Sequence, residues 1–126
     1  MLRVVIVDDN RDIVLTTIEL LRAYGHEATG LTGCYNGDEV FACAREFAPD
    51  VVILDIGLPG KSGWEVAQQI RSRLPGKQPL LIAMSGEFTK RADKMLAEMY
   101  GFDHYLVKPF DPQALMAILE NIGAGK

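Results

Sequence analysis

Three short runs of this chain, LRVVIV at 2–7, VVIL at 51–54 and LLIAM at 80–84, are apolar on nearly every residue. A strand with one wet face alternates apolar and polar residues, so strands like these must be covered on both faces. Doubly covered strands belong to parallel sheets, whose neighbours are joined by crossovers that are usually helical. The intervening segments fit. A helix is expected from near Asp12, with Ile13, Thr17, Leu20, Leu21 and Tyr24 on one face and Gly25 ending it. A weaker run at 26–31, mixed in polarity, reads as an edge strand. Asn36 can cap a second helix that stops before Pro49. Ser62-x-x-Glu65 is a capping box opening the third helix, which LPG at 74–76 ends. Thr89 can cap a fourth helix running to Gly101. A fifth strand follows at 104–107, then Asp111 and Pro112 as N-cap and first residue of a last helix closed by Gly123.

Strict βα alternation gives an α/β fold with helices on both faces of a parallel sheet, and the crossovers are right-handed. The weak second run belongs at an edge and the third in the middle. The strand order 2-1-3-4-5 satisfies both, making a flavodoxin-like, doubly wound (βα)5 domain. Residues 1–126 suffice for one such domain with no linker or repeat. In this architecture the functional site lies at the carboxyl ends of the strands, where their order reverses.

Several function classes recede on composition. The formal charge of −4 counts against direct nucleic-acid contact. No apolar run is long enough for a bilayer, and LRVVIV lacks the flanks of a signal peptide, so no direct membrane role is expected. Cys34 and Cys43 are not spaced as a redox or metal pair and read as free thiols of a cytoplasmic protein. Trp64 reads as packing or a partly exposed surface residue, His26 and His104 as surface residues, and TKRADK at 89–94 as a solvated helix face.

The strand ends carry the chemistry. Strand 1 ends in Asp8-Asp9, strand 3 in Asp55, strand 4 in Ser85 and strand 5 in Lys108. These strands are neighbours in the expected order, so three carboxylates, a hydroxyl and an ammonium converge on one shallow pocket. Two unit charges 4 Å apart repel by about 4 kcal/mol at an effective dielectric near 20. A divalent cation relieves this, and an all-oxygen donor set suits Mg²⁺ or Mn²⁺ rather than zinc. With Lys108 beside it, the pocket suits a phosphoryl group. A carboxylate held rigidly at a strand end can be the nucleophile that forms an acyl phosphate.

VDDN at 7–10, LDIGLPGKSG at 54–63, the apolar run into Ser85-Gly86 and YLVKPF at 105–110 resemble the receiver domain of two-component response regulators, over essentially the whole chain. The resemblance implies that Asp55 is the phosphoacceptor and that Asp8 and Asp9 form the acidic pocket. Mg²⁺ would be bound by Asp9, Asp55 and the backbone carbonyl of Gly57, with Asp8 acting mostly through water. Lys108 would contact the phosphoryl group. Ser85 stands at the family's switch hydroxyl, Tyr105 at its switch aromatic, and Lys108-Pro109 at its usual cis peptide. The implied donor is a phosphohistidine on a histidine kinase or histidine phosphotransfer protein. The implied output is a downstream protein that reads the fourth helix, fifth strand and fifth helix. Gly57 and Glu87, two residues beyond Asp55 and Ser85, border the path of the hydrolytic water and are expected to tune phosphoryl lifetime. VDDNRDI and FDHYLVKPF look most like receivers attached to hybrid sensor kinases; the other form is a single-domain protein. Three departures stand out: Tyr100 where a small residue is usual, a slightly long Ser85–Lys108 segment, and the absence of a side chain at Gly57.

Other readings fare worse. A phosphohydrolase working through an aspartyl phosphate wants a second carboxylate two residues after the nucleophile, where this chain has Gly57. A flavin protein wants a Ser/Thr/Gly-rich first turn, where this chain has DDNRD. A degenerate receiver that only binds proteins would not need the full acidic set. The resulting expectation is a phosphoacceptor that assists its own phosphoryl transfer and dephosphorylation, not an enzyme acting on other molecules.

Overall fold

The computed structural model describes residues 1–31, 37–56, 63–85, 98–108 and 110–124. In chain order these form β1 (Arg3–Val7), α1 (Arg11–Ala23), β2 (Glu27–Leu31), α2 (Gly37–Phe47), β3 (Val51–Asp55), α3 (Gly63–Arg73), β4 (Leu80–Ser85), β5 (His104–Val107) and a last helix, α4 (Pro112–Ala124). The strands make one parallel sheet in the order β2-β1-β3-β4-β5. This is the doubly wound, flavodoxin-like arrangement expected from the alternation.

The period of two along each strand divides the core between the two faces. Val4, Ile6, Val51 and Ile53 point to a cluster completed by Val14 and Leu21 of α1 and Leu115 and Leu119 of α4. Val5, Val7, Val52 and Leu54 point the other way, to Val40 of α2 and Val66, Ala67 and Ile70 of α3. All five residues of β3 are buried, which places it at the centre.

Local chemistry sets the helix ends. The Asn10 side chain accepts from the Asp12 and Ile13 N–H groups, so α1 starts at Arg11, one residue before the expected point. Val14, Thr17 and Leu21 form its buried line, and Tyr24 is corrected from the core face to a C-cap that is 52% exposed. Gly25 follows with φ +88°, as a left-handed terminator should. Ala48 does the same after α2 with φ 51°, because Pro49 denies it the right-handed helical region. The Asp111 carboxylate accepts from the Gln113 N–H at 2.9 Å, capping α4 with Pro112 as its first residue. That helix passes through Gly123 to Ala124 rather than closing at the glycine. The proposed caps Asn36, Ser62 and Thr89 lie outside the described residues, as do Cys34 and residues 90–97 of the fourth predicted helix. Residues 98–99 are helical, and the chain turns at Gly101 with φ +95°.

At the amino ends of the strands, polar groups hold the chain together. The Arg3 N–H donates to the Asp50 carboxylate at 2.9 Å, and the Asp50 N–H donates back to the Arg3 carbonyl at 2.7 Å. The Arg3 guanidinium donates to the Phe47 carbonyl and the Glu27 carboxylate and lies over the Phe47 ring. The Leu80 N–H reaches the Asp50 carbonyl at 2.9 Å. His26 belongs to this rim: half-buried, it accepts the Leu2 N–H on Nδ1 at 3.0 Å, which corrects its reading as a surface residue. Burial lowers its pKa below the ordinary imidazole value. His104 is exposed, as expected.

Candidate functional site

At the opposite, carboxyl ends of the strands, Asp8, Asp55 and Lys108 meet. Asp8 follows β1 and is fully buried; Asp55 is the last residue of β3 and 5% exposed. Lys108 follows β5, and its Nζ lies 3.0 Å from Asp8 Oδ2 and 3.0 Å from Asp55 Oδ2. Asp9 is exposed beside them. Asp8, Asp9 and Asp55 each place a carboxylate oxygen within 4.8 Å of the others, the one cluster of metal-capable side chains among the described residues.

The backbone explains the convergence. Asp55 pairs with Met84, and the next residue of β4 is Ser85, which pairs with Val107 just before Lys108. The Lys108 N–H donates to the Ser85 carbonyl at 2.7 Å, holding the lysine's backbone to the end of β4. Ser85 is half-buried and carries on the face of Ala83, which pairs with Tyr105. Ser85 and Tyr105 therefore share one sheet face, offset by two residues on adjacent strands. Tyr105 is half-buried against the α2–α3 cluster. Gly57, Glu87 and Pro109 lie outside the described residues.

Two supporting residues were not anticipated. The Asn10 backbone N–H donates to Asp8 Oδ1 at 2.9 Å while its side chain caps α1, so one residue orients the acidic loop and starts the helix. The available signal was an Asn directly before a helical pattern. Gly63, the first residue of α3, packs on the backbone beyond the strand: a Cβ there would lie 2.5 Å from Ile56 Cα and 2.7 Å from the Asp55 carbonyl oxygen.

Electrostatics follow from this crowding. Burial, helped by the charge of Asp55, raises the Asp8 pKa above its ordinary value, although the Asn10 N–H and Lys108 pull it part of the way back. Burial alone would lower the Lys108 pKa, but its bonds to Asp8 and Asp55 outweigh that and leave it raised. The folded state holds the Asp8 proton in a window where the unfolded chain, titrating near pH 4, has released it. The metal-free protein therefore gains stability from this group as pH falls through its folded pKa. Asp8→Asn is expected to flatten the acid side of the stability–pH curve in EDTA, read from urea midpoints between neutral pH and pH 4. An unchanged slope would mean that Asp8 titrates normally.

The donor set fits a hard divalent cation: three carboxylates from two strand ends and no softer ligand in the cluster. Lys108 already offsets part of the charge, and a cation would offset more.

The family model of the response regulator receiver domain matches residues 4–120. This chain belongs to that family. Protein PilH of Pseudomonas aeruginosa is 29% identical over 126 residues, spanning 99% of this chain and 100% of that protein. Among solved structures, the chemotaxis response regulator CheY4 of Vibrio cholerae superposes with a TM-score of 0.84 at 28% identity, covering 97% of this chain and 98% of that one. A CheY-like receiver domain from Methylobacillus flagellatus gives a TM-score of 0.77 at 29% identity, covering 95% of this chain and 97% of that one. The receiver domain is a module of two-component signalling, and the described residues of this chain have its fold. No helix among the described residues is long and apolar enough to cross a membrane.

Proposed function

We infer that this receiver accepts a phosphoryl group on Asp55 from a phosphohistidine, and that a divalent cation held by Asp8, Asp9, Asp55 and the Gly57 carbonyl accompanies it. The observation that carries this reading is the meeting of Asp55 with Lys108 and the acidic pair at the ends of adjacent strands. In the transfer, a carboxylate oxygen of Asp55 forms the new P–O bond as the P–N bond to the donor imidazole breaks, and the electron pair leaves with the imidazole. Lys108 fixes the nucleophile and moves its charge onto the incoming phosphoryl oxygens. The Ser85 hydroxyl donates to a phosphoryl oxygen. When bound, the cation supplies charge neutralisation to the carboxylates and to the transferred group. The donor is a histidine kinase or a histidine phosphotransfer protein. An apolar cavity of about 280 Å³ beside Lys108, lined by Ile13, Thr17 and Leu20 of α1 and by Phe110, offers that donor a place to seat. The phosphorylated state is read by a downstream protein at the β5–α4 side through the Ser85–Tyr105 pair. Incubation with Mg²⁺ and acetyl phosphate followed by intact mass tests the reading: a gain of one phosphoryl group supports it, and no gain sinks it.

Lifetime is set by how well a water is aligned against the acyl phosphate. Gly57 offers that water no side chain, so Gly57→Asn is expected to speed decay of the phosphorylated protein at fixed Mg²⁺ and pH. Glu87→Ala tests the other flank. An equal or slower decay in Gly57→Asn, with Mg²⁺ affinity intact, would place the control of lifetime elsewhere.

A further inference from the structure

The helix α3 touches both the phosphoacceptor strand and the lead-in to β5. Its first residue, Gly63, packs directly on the backbone of Asp55 and Ile56, and its N–H donates to the Ile56 carbonyl at 3.3 Å. The next residue, Trp64, sets its ring 5.4 Å from that of Tyr100 and 5.8 Å from that of Phe102. Two turns further along the same helix face, Arg71 donates from Nε and Nη2 to the Gly101 carbonyl at 2.9 and 2.7 Å. Its Nη1 reaches the Pro79 carbonyl at 2.7 Å, and Nη2 also reaches Asp103 Oδ2 at 2.8 Å. That same Asp103 oxygen accepts the Leu81 N–H at 2.8 Å, and the Asp103 N–H donates to the Leu81 carbonyl at 2.7 Å. Gly101 is what allows the clamp: its φ is +95°, and a Cβ there would lie 2.8 Å from Arg71 Cγ.

We propose that α3 is a rigid strut that carries a displacement of the Asp55–Ile56 backbone to residues 100–103, and so to β5, by a route separate from Ser85 and Tyr105. Trp64 is the bearing near the site and Arg71 the clamp at the far end. The physical basis is packing: close-packed helices and backbones compress little and pass strain on. A guanidinium fork on a backbone carbonyl resists rotation, where a lysine would not. Tyr100, which is bulky where receivers usually have a small residue, gains a use as the surface against which Trp64 bears. The strut rests on the reading of Asp55 as the phosphoacceptor.

Trp64 is the only tryptophan of the chain, so its emission reports on the contact of the head of α3 with Tyr100 and Phe102. Beryllofluoride with Mg²⁺ serves as the probe, and amide hydrogen exchange at residues 101–103, which Arg71 clamps, reports on the far end. In the parent, the probe is expected to shift Trp64 emission and to change exchange at 101–103. In Arg71→Met the emission shift is expected to persist while the exchange change is lost. Trp64→Phe, read by exchange alone, is the second variant should Arg71→Met fail to fold, and it too is expected to lose the change. Intact mass after acetyl phosphate is read on every protein. A full mass gain with no response at Trp64 or at 101–103 in the parent would overturn the strut alone, as would a full exchange response at 101–103 in either variant. Absence of the mass gain in the parent would overturn the reading of Asp55 and the strut with it.

Discussion

Asp55→Asn is expected to gain no mass in acetyl phosphate and Mg²⁺, where the parent gains one phosphoryl group. The amide is nearly the same size as the carboxylate but has no anionic oxygen to attack phosphorus, so the chemistry is lost while the shape remains. The loss should not reflect misfolding. Asp55 lies at the end of a fully buried strand, and its charge adds to that of buried Asp8. Removing it takes one buried charge from beside Asp8 and leaves Lys108 its bond to Asp8, so in EDTA the variant should melt close to the parent. EDTA should also abolish labelling of the parent, because without a cation the acidic pocket repels the incoming phosphate. Asp9→Ala should lose the stabilisation that Mg²⁺ gives the parent, since a ligand of the native state raises stability by mass action. Labelling of Asp55→Asn, or of the parent in EDTA, would remove Asp55 and the cation from the mechanism.

Gly63→Ala is expected to destabilise the protein and also to slow its phosphorylation. The added methyl would sit 2.5 Å from one backbone atom and 2.7 Å from another, and neither can swing aside as a side-chain end can. Overpacking of this kind costs about 1–3 kcal/mol, more where the backbone cannot yield. For a domain of this size that is a fall of roughly 4 °C in Tm per kcal/mol. Gly25→Ala is the control. Space there is open, and only its positive φ penalises the substitution, by about 1–2 kcal/mol. Both variants should therefore lose stability, but only Gly63→Ala moves the backbone that aims Asp55. The initial rate of acetyl phosphate labelling, measured well below either Tm, separates them. Equal rates in the two variants would show that α3 can shift without disturbing the site.

Strands β1, β3 and β4 were legible because burial on both faces writes a continuous apolar run, and the edge strand because it does not. The site was legible for a related reason. Asp8, Asp55, Ser85 and Lys108 each interrupt or end such a run, and parallel strand order alone brings those ends together. What escaped notice depends on distant partners. Tyr24 has helical spacing with the core residues of α1, yet it caps the helix, because Val14 and Leu21 already fill the sheet side. His26 looks like a surface residue until Leu2, twenty-four residues away, is found donating to it. No periodicity announces that Arg71 reaches Gly101 and Asp103, or that Trp64 meets Tyr100, because nothing local in either segment encodes the other.

The rim of bonds around Arg3, Asp50, His26 and Leu80 lies at the end of the sheet away from Asp55. Side chains thus reinforce strand register at the end remote from the acidic cluster. At the Asp55 end the ties between strands are backbone bonds, such as the Lys108 N–H on the Ser85 carbonyl and the Ile56 N–H on the Met84 carbonyl. Side chains at the Asp55 end can therefore be exchanged, and the chemistry of the site altered, without unfastening the strand ladder that carries them.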